Sequence, residues 1–492
     1  MICSGHSYVT TMQMGEEAGR ENSSPLPASP DGVCCIHRIP TEILVYLLEI
    51  AKAKAEERRG DHKGHPGYDA VEERQALGET ASNAVVKRQP LEVTASHVCR
   101  YWRDVVLRSP TLWTTLRIDL WPKDHFPVDH DRPPFDRIKA YTDRSSPLPF
   151  SIDIRPRDWG IWGKPPLFYN FTELLDILFL HIHRWSTFKV TSCDINFRRE
   201  LVDHLSKPAL PRASQLKTLQ LLVPDHGVIT YDHSSFLWNN FSATLRAPRL
   251  EVVELHILPP RWWHSSAAFS PVTTLSLDCA TGDYHISYRE ILESLALCPS
   301  LQKLSIRNVL HLYRVYRDSP SIQTPRVVAL PSLTHLVLTG MGESDFDATC
   351  YFPLLTLLCS TRQGLDPDNM FHGLKVLELM HTGNIESDPG YLFSRLEQLI
   401  RLHIDLDLVA SIWLTSLLPS SHPDWDHTQS VYLPYLRTLE VTLTPSPRLV
   451  ASLADVQRVR SEAGYPLSLV INGAEVVVNP DSEASTGRQQ TC

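Results

Sequence analysis

The sequence predicts an α/β chain: a small helical bundle, then an irregular solenoid with parallel strands on one side and helices or loops on the other. Three observations lead there. An apolar triplet at positions 1, 4 and 6 recurs along most of the chain, from Trp113/Leu116/Ile118 to Leu436/Leu439/Val441. The intervening segments, such as 288–297 and 391–398, space their apolar residues as helices do. A proline or small residue often leads into the triplet, as in Ala247-Pro248, Cys298-Pro299, Leu330-Pro331 and Leu433-Pro434.

Taken in order, residues 1–33 are rich in Ser, Gly, Pro and Glu without apolar periodicity and read as a disordered tail. Ile39, Ile43, Leu47 and Ile50 fall on one helical stripe, with Pro40 suited to the first helical position, where its missing N–H costs nothing. The Ala, Glu, Lys and Arg of 52–59 extend this helix until the Gly/Pro cluster of 60–67 breaks it. The rest of an insertion over about 52–92 reads as a solvated loop of mixed charge. Val98, Tyr101, Trp102 and Val105 form a second stripe, with Thr94 or Ser96 available as a cap and Ser109-Pro110 as a stop. Ala51 and Val98 lie far apart in sequence, so the insertion must return its ends to one place, at modest closure cost.

The residues on these helices narrow the reading. Ile39-Pro40-x-Glu42-Ile43-Leu44, then Val98-Cys99-Arg100-x-Trp102-Arg103, then Ser109-Pro110-x-Leu112-Trp113 resemble the F-box, in the version found in large basidiomycete fungal families. The resemblance covers about residues 36–120, with Ile-Pro in place of the usual Leu-Pro and with the insertion as its main departure. It implies a helical domain over 34–118 that docks on the Skp adaptor of a cullin–RING ubiquitin ligase. Ile39, Pro40, Ile43, Leu47, Val98, Trp102, Leu112 and Trp113 would then form the adaptor-binding face or the core beneath it; the sequence does not divide them.

From Trp113 the strand-like triplets begin, and from Leu216 onward their first positions recur every 22 to 41 residues. Positions 4 and 6 point the same way, and one such strand cannot bury its apolar face alone. The unit of helix, proline-containing turn and strand resembles a leucine-rich repeat. The Asn usual in that family is missing, its place taken by residues such as Pro224, Ala280 and Thr444. Such degenerate repeats are expected over 119–479. A doubly wound sheet is disfavoured because no Gly-rich phosphate loop follows a strand. Within 119–184, Tyr141–Ile154 resembles the Arg-Ser…Pro-Leu strand that follows the F-box in the fungal proteins, and 171–185 reads as helical; both are assigned to early, atypical repeats. At the far end, 449–462 reads as a helix. Residues 467–471 and 475–478 read as a capping hairpin about Asn472-Gly473, and 480–492 as a tail.

Composition bounds the function. The chain has 492 residues, 42% hydrophobic and 21% charged, with a net charge of −9, so no broad basic footprint suggests nucleic acid. No apolar run is long enough for a membrane span, and Met1–His6 does not open as a secretory signal does. Ten scattered cysteines suit free thiols, and cytosol or nucleus is the expected location. No hydrolase, kinase, phosphate-loop or dinucleotide motif occurs, and the His-rich patches around 125–131, 181–183 and 422–427 lack zinc spacing. No catalytic residue, cofactor or metal is therefore expected. The expected role is substrate receptor of an SCF-type ubiquitin ligase; the alternative is a repeat scaffold acting outside one. The protein target would meet the strand residues that point outward: Gln220, Glu254/His256, Ser276/Asp278, Ser305/Arg307, Val337/Thr339, Glu378/Met380, His403/Asp405 and Glu440/Thr442. Acidic residues outnumber basic ones in that set, which favours a target with some basic surface.

Overall fold

A computed structural model describes residues 39–60, 91–120, 135–156, 171–191, 195–205, 207, 212–222, 245–256, 269–278, 295–307, 330–341, 373–382, 396, 398–405, 433–442 and 447–476. The expected tails, most of the insertion, and the helical segments near 288 and 391 lie outside these residues, apart from a few at their ends. The chain divides into two compact units, Met1–Val106 and Leu107–Cys492.

In the first unit, α1 (Thr41–Gly60) carries the Ala/Glu/Lys/Arg extension as far as Gly60. The second expected helix starts later than its cap candidates, at Arg100 (α3, Arg100–Arg108), and a short helix that the sequence reading did not foresee, α2 (Leu91–Ser96), precedes it. Ser96 does not cap α3, because its hydroxyl donates back to the Val93 carbonyl at 2.7 Å. Cys99 takes that place: its Sγ accepts from the Trp102 N–H at 3.5 Å. Tyr101 ties the two halves together, donating from its hydroxyl to the Ile39 carbonyl at 2.8 Å, across 62 residues of sequence.

The second unit is built on one open sheet of 13 strands, stacked in sequence order. The strands are β1 (Thr115–Leu120), β2 (Phe150–Pro156), β3 (Trp185–Thr191), β4 (Thr218–Leu222), β5 (Val252–His256), β6 (Thr274–Asp278) and β7 (Lys303–Arg307), followed by β8 (His335–Met341), β9 (Val376–Thr382), β10 (Arg401–Asp405), β11 (Thr438–Thr442), β12 (Ser468–Ile471) and β13 (Ala474–Val476). Neighbours are parallel from β1 to β12, and only β13 runs antiparallel. A doubly wound sheet would reverse its strand order at a switch point, and this one does not. The arrangement is solenoid-like.

Register explains why a loose sequence pattern gives so regular a sheet. The fourth position of each triplet pairs with the fourth position of the next, and the sixth with the sixth. One ladder runs Leu275, Leu304, Leu336, Leu377, and the other Leu277, Ile306, Leu338, Leu379. These side chains are buried, most of them completely. The turn ahead of the strand repeats as well. The first-position N–H donates to the carbonyl three residues back, as in Leu250 to Ala247, Leu301 to Cys298, Leu333 to Leu330 and Leu436 to Leu433. Those earlier residues are themselves buried, so each unit has one more anchor than the triplet. Cys298 is one of them, and burial pushes its thiol up to about 12. Beyond the turn, one carbonyl per unit takes two N–H groups from the following unit: Lys217 from Glu251 and Val252, Gln302 from Thr334 and His335, Lys375 from Ile400 and Arg401.

Between β1 and β3 the sequence reading needs correction. Phe135–Arg144 is a helix, α4, that it did not foresee, and only Phe150–Pro156 of the following stretch is a strand. The helix expected over 171–185 ends at Phe179 (α5, Phe171–Phe179), and a 3-10 turn leads into β3 at Trp185. Arg184 in that turn is nearly buried. It donates to the carbonyls of Thr142 and Leu148 and to the Ser145 hydroxyl, all within 3.1 Å, with its guanidinium over the Phe150 ring. It thereby pins the loop that enters β2. Arg460 does the same at the other end: from α7 (Pro447–Glu462) it reaches the Leu433 carbonyl at 2.8 Å, where Leu433 holds a left-handed φ of 57°. Between them, His204 of α6 (Ile195–Leu205) bonds Asp176 of α5 at 2.9 Å. The terminal hairpin forms as expected, with Asn472 and Gly473 at φ 50° and 78°, the sign a two-residue type I′ turn needs.

The ladder carries a stability prediction. Leu304→Ala at its centre should cost about 2–5 kcal/mol in a urea titration, whereas Ser305→Ala, on the other face, should stay within about 0.5 kcal/mol.

Candidate functional site: the outer face of the sheet and the apolar face of the first helix

Two surfaces, one on each unit, collect the residues singled out from sequence. On the sheet, alternation turns the residues between the two buried ladders outward. Gln220, Glu254, Ser276, Ser305, Val337, Glu378, His403 and Glu440 align as direct register partners across β4 to β11. A second row follows two residues later, with His256 beside Asp278, Asp278 beside Arg307, Thr339 beside Met380, and Asp405 beside Thr442.

The densest polar group lies on β4 to β7. Gln220 Nε2 donates to Glu254 Oε2 at 2.7 Å. The other Glu254 oxygen lies 3.4 Å from His256 Nε2, and His256 Nδ1 lies 4.0 Å from Asp278 Oδ2. His256 is 8% exposed and lies between the two carboxylates, so little of its surface is open. Glu254 is held below the usual carboxylate range. The close contact with His256 is the largest cause, partial burial opposes it, and Gln220 and the charge of Arg307 add to the lowering. Asp278 remains half-buried and Arg307 exposed.

A second group lies on β9 to β11. Arg401 pairs with Glu440, and His403 Nε2 meets Thr442 Oγ1 at 3.0 Å. Glu378 and Met380 are partly exposed beside them. The expectation of an acidic face does not survive this accounting. It left out the outward residues one step before the first ladder, among them Lys303 and Arg401, and those of β1 to β3, among them Arg117, Asp153, Arg155 and Lys189. The face is mixed in sign, and pairs such as Arg155–Asp153 and Arg401–Glu440 neutralise part of it.

On the first unit, α1 divides its apolar residues between two rows. Leu44 and Leu48 are buried, at 1% and 5% exposure. Ile43, Tyr46 and Leu47 are exposed at 50%, 59% and 50%, and Val98 after α2 at 53%. Pro40 is exposed, and Ile39 and Trp102 are half-buried. Of the stripe Ile39, Ile43, Leu47 and Ile50, which the sequence left undivided between interface and core, Ile43 and Leu47 are open and Ile39 and Ile50 half-buried. Adjacent apolar rows leave the choice to tertiary packing, and periodicity does not make it. Leu112 and Trp113 belong to the second unit, both buried; the Trp113 ring meets Tyr141 edge-on at 5.0 Å, and Arg144 lies over it at 4.4 Å. Neither is available to a partner.

Among the described residues no group of His, Cys, Asp and Glu is arranged to hold a metal, and no helix is long and apolar enough to cross a membrane. The His-rich patches at 125–131 and 422–427 lie outside those residues. No family model matches the chain, and no curated protein matches it significantly.

Linkage fixes the sign of the pH dependence at Glu254. A carboxyl depressed on folding stabilises the fold above its unfolded pKa, near 4.5 here, and that contribution is lost as pH falls through the lower folded value. Glu254→Gln should therefore be less stable than wild type by a constant margin above pH 5, in chemical-denaturation series across pH. Below about pH 4 the margin should close.

Proposed function

We propose that this chain is the substrate-recognition subunit of an SCF-type cullin–RING ubiquitin ligase. The first unit docks on the Skp adaptor, and the outer face of the sheet, read as leucine-rich repeats, recruits a protein target. The observation that carries the reading is the open row Ile43, Tyr46 and Leu47 with Val98 nearby. Exposed apolar side chains clustered on one helix suit a helix-packing interface, where such anchors supply most of the binding energy. They coincide with the positions at which the sequence resembles an F-box. Leu44, Leu48, Val105 and Val106 supply the core beneath.

On this reading Ile43, Leu47 and Val98 are contact residues with Pro40 at their edge, Ile39 and Trp102 border them, and Leu112 and Trp113 are framework. The target meets Glu254, Asp278 and Arg307 on one part of the sheet and Glu378, Met380 and Glu440 on another, with His256 and His403 orienting neighbours. Its charge is mixed, in keeping with the face.

Co-purification with the adaptor tests the first half. Ile43→Asp/Leu47→Asp should lower adaptor affinity by more than about tenfold while leaving the thermal melt of the chain within about 2 °C, because both side chains are already exposed. Wild-type binding by that variant would remove this face from the interface. Failure of the wild-type chain to bind any Skp adaptor would favour a scaffold working outside a ubiquitin ligase.

A further inference from the structure

We propose a further interaction surface on the second unit: the turns that lead into β4 and β5 form a basic edge that binds an acidic segment of a partner protein. Arg212, Lys217, Arg246 and Arg249 are all exposed there. Backbone bonds bring their two turns together. The Ala213 N–H donates to the Arg246 carbonyl at 2.9 Å, and the Glu251 N–H to the Lys217 carbonyl at 2.9 Å. Arg249 reaches across to Gln215 Oε1, again at 2.9 Å. The cations thus occupy neighbouring units of one edge, where strands lie about 4.8 Å apart.

Among the described residues, four exposed cations gather on this edge without a carboxylate partner. Several cations elsewhere on the unit do find carboxylates: Arg155 with Asp153, Arg401 with Glu440, Arg458 with Asp455 and Glu462. Among the described residues no carboxylate pairs with Arg212, Lys217, Arg246 or Arg249, and the one side-chain bond in the group runs from Arg249 to the neutral Gln215. Glu251, beside Lys217, is the one acidic residue within these turns. In a chain of net charge −9, concentrated positive charge left uncompensated marks a place where an outside anion is attracted. The guanidinium groups suit carboxylates, which they meet in paired bonds.

The partner class follows from the surroundings. A nucleic acid would need a basic track many phosphates long. Here the track is short, and the adjoining sheet face carries Glu254 and Asp278. A short run of Asp and Glu fits the edge without meeting those carboxylates. The surface is separate from the adaptor face and holds or fails independently of the ubiquitin-ligase reading.

The test is fluorescence anisotropy of a labelled Asp/Glu-rich peptide titrated with the full chain, beside the same peptide with Asn/Gln and a single-stranded oligonucleotide of equal charge. Selective binding of the acidic peptide, weakened at least about tenfold by R246E/R249E and about as much by R212E/K217E, and weakening as salt rises, is expected. R246K/R249K should retain part of the binding, and all variants should melt with wild type. Equal binding of the neutral peptide, charge-reversal variants within about twofold of wild type, or tighter binding of the oligonucleotide would each overturn the proposal.

Discussion

Everything in the second unit depends on the parallel register that sets like position against like position. Once Leu304 lies between Leu275 and Leu336, the sixth positions, the turn anchors and the outward residues all fall into rows. Each fully buried ladder side chain is worth about 1.5–3 kcal/mol, and no strand could collect that alone. The carbonyls that accept two N–H groups from the next unit fix the offset, so unit length can vary between strands without disturbing the rows. Both ends are finished by other means. The hairpin at Asn472-Gly473 turns the last strand antiparallel, and Trp113, packed against Tyr141, lies just ahead of the first.

The same constraint divides the chain's polar chemistry. Polar groups inside it serve the frame: Arg184 and Arg460 hold loop carbonyls, and His204 joins two helices. Groups on the outer face are left to act on something else, and His256 stands between the two classes, buried yet aimed at Glu254 and Asp278.

Much of the sheet was legible because its signal is short-range and repeated. β1 and the strands from β4 to β11 lie where the triplets fall, and Asn-Gly marked the hairpin. The elements that escaped are those whose cause is tertiary. Phe135–Arg144 forms a helix in a stretch whose local pattern reads as strand-like only from Phe150 on, and α5 stops at Phe179 because Trp185 and Phe188 are needed in the sheet, ring stacked on ring at 4.3 Å. On α1 two apolar rows competed for one core, and Leu44 and Leu48 took it. The basic edge was missed for a similar reason: its four cations are scattered through the sequence and meet only through turn-to-turn hydrogen bonds. The turn anchors, by contrast, were available. A buried residue three places before each triplet is a readable extension of the repeat.

The central claim is that the open apolar row of α1 is a docking face. Hydrogen-exchange mass spectrometry of the full chain, with and without a Skp adaptor, tests it most directly. Slowed exchange confined to peptides from 39–50 and 96–106, with the strands of the sheet unchanged, is the expected result. Protection that appears only in the sheet, or none at saturating adaptor, would contradict it.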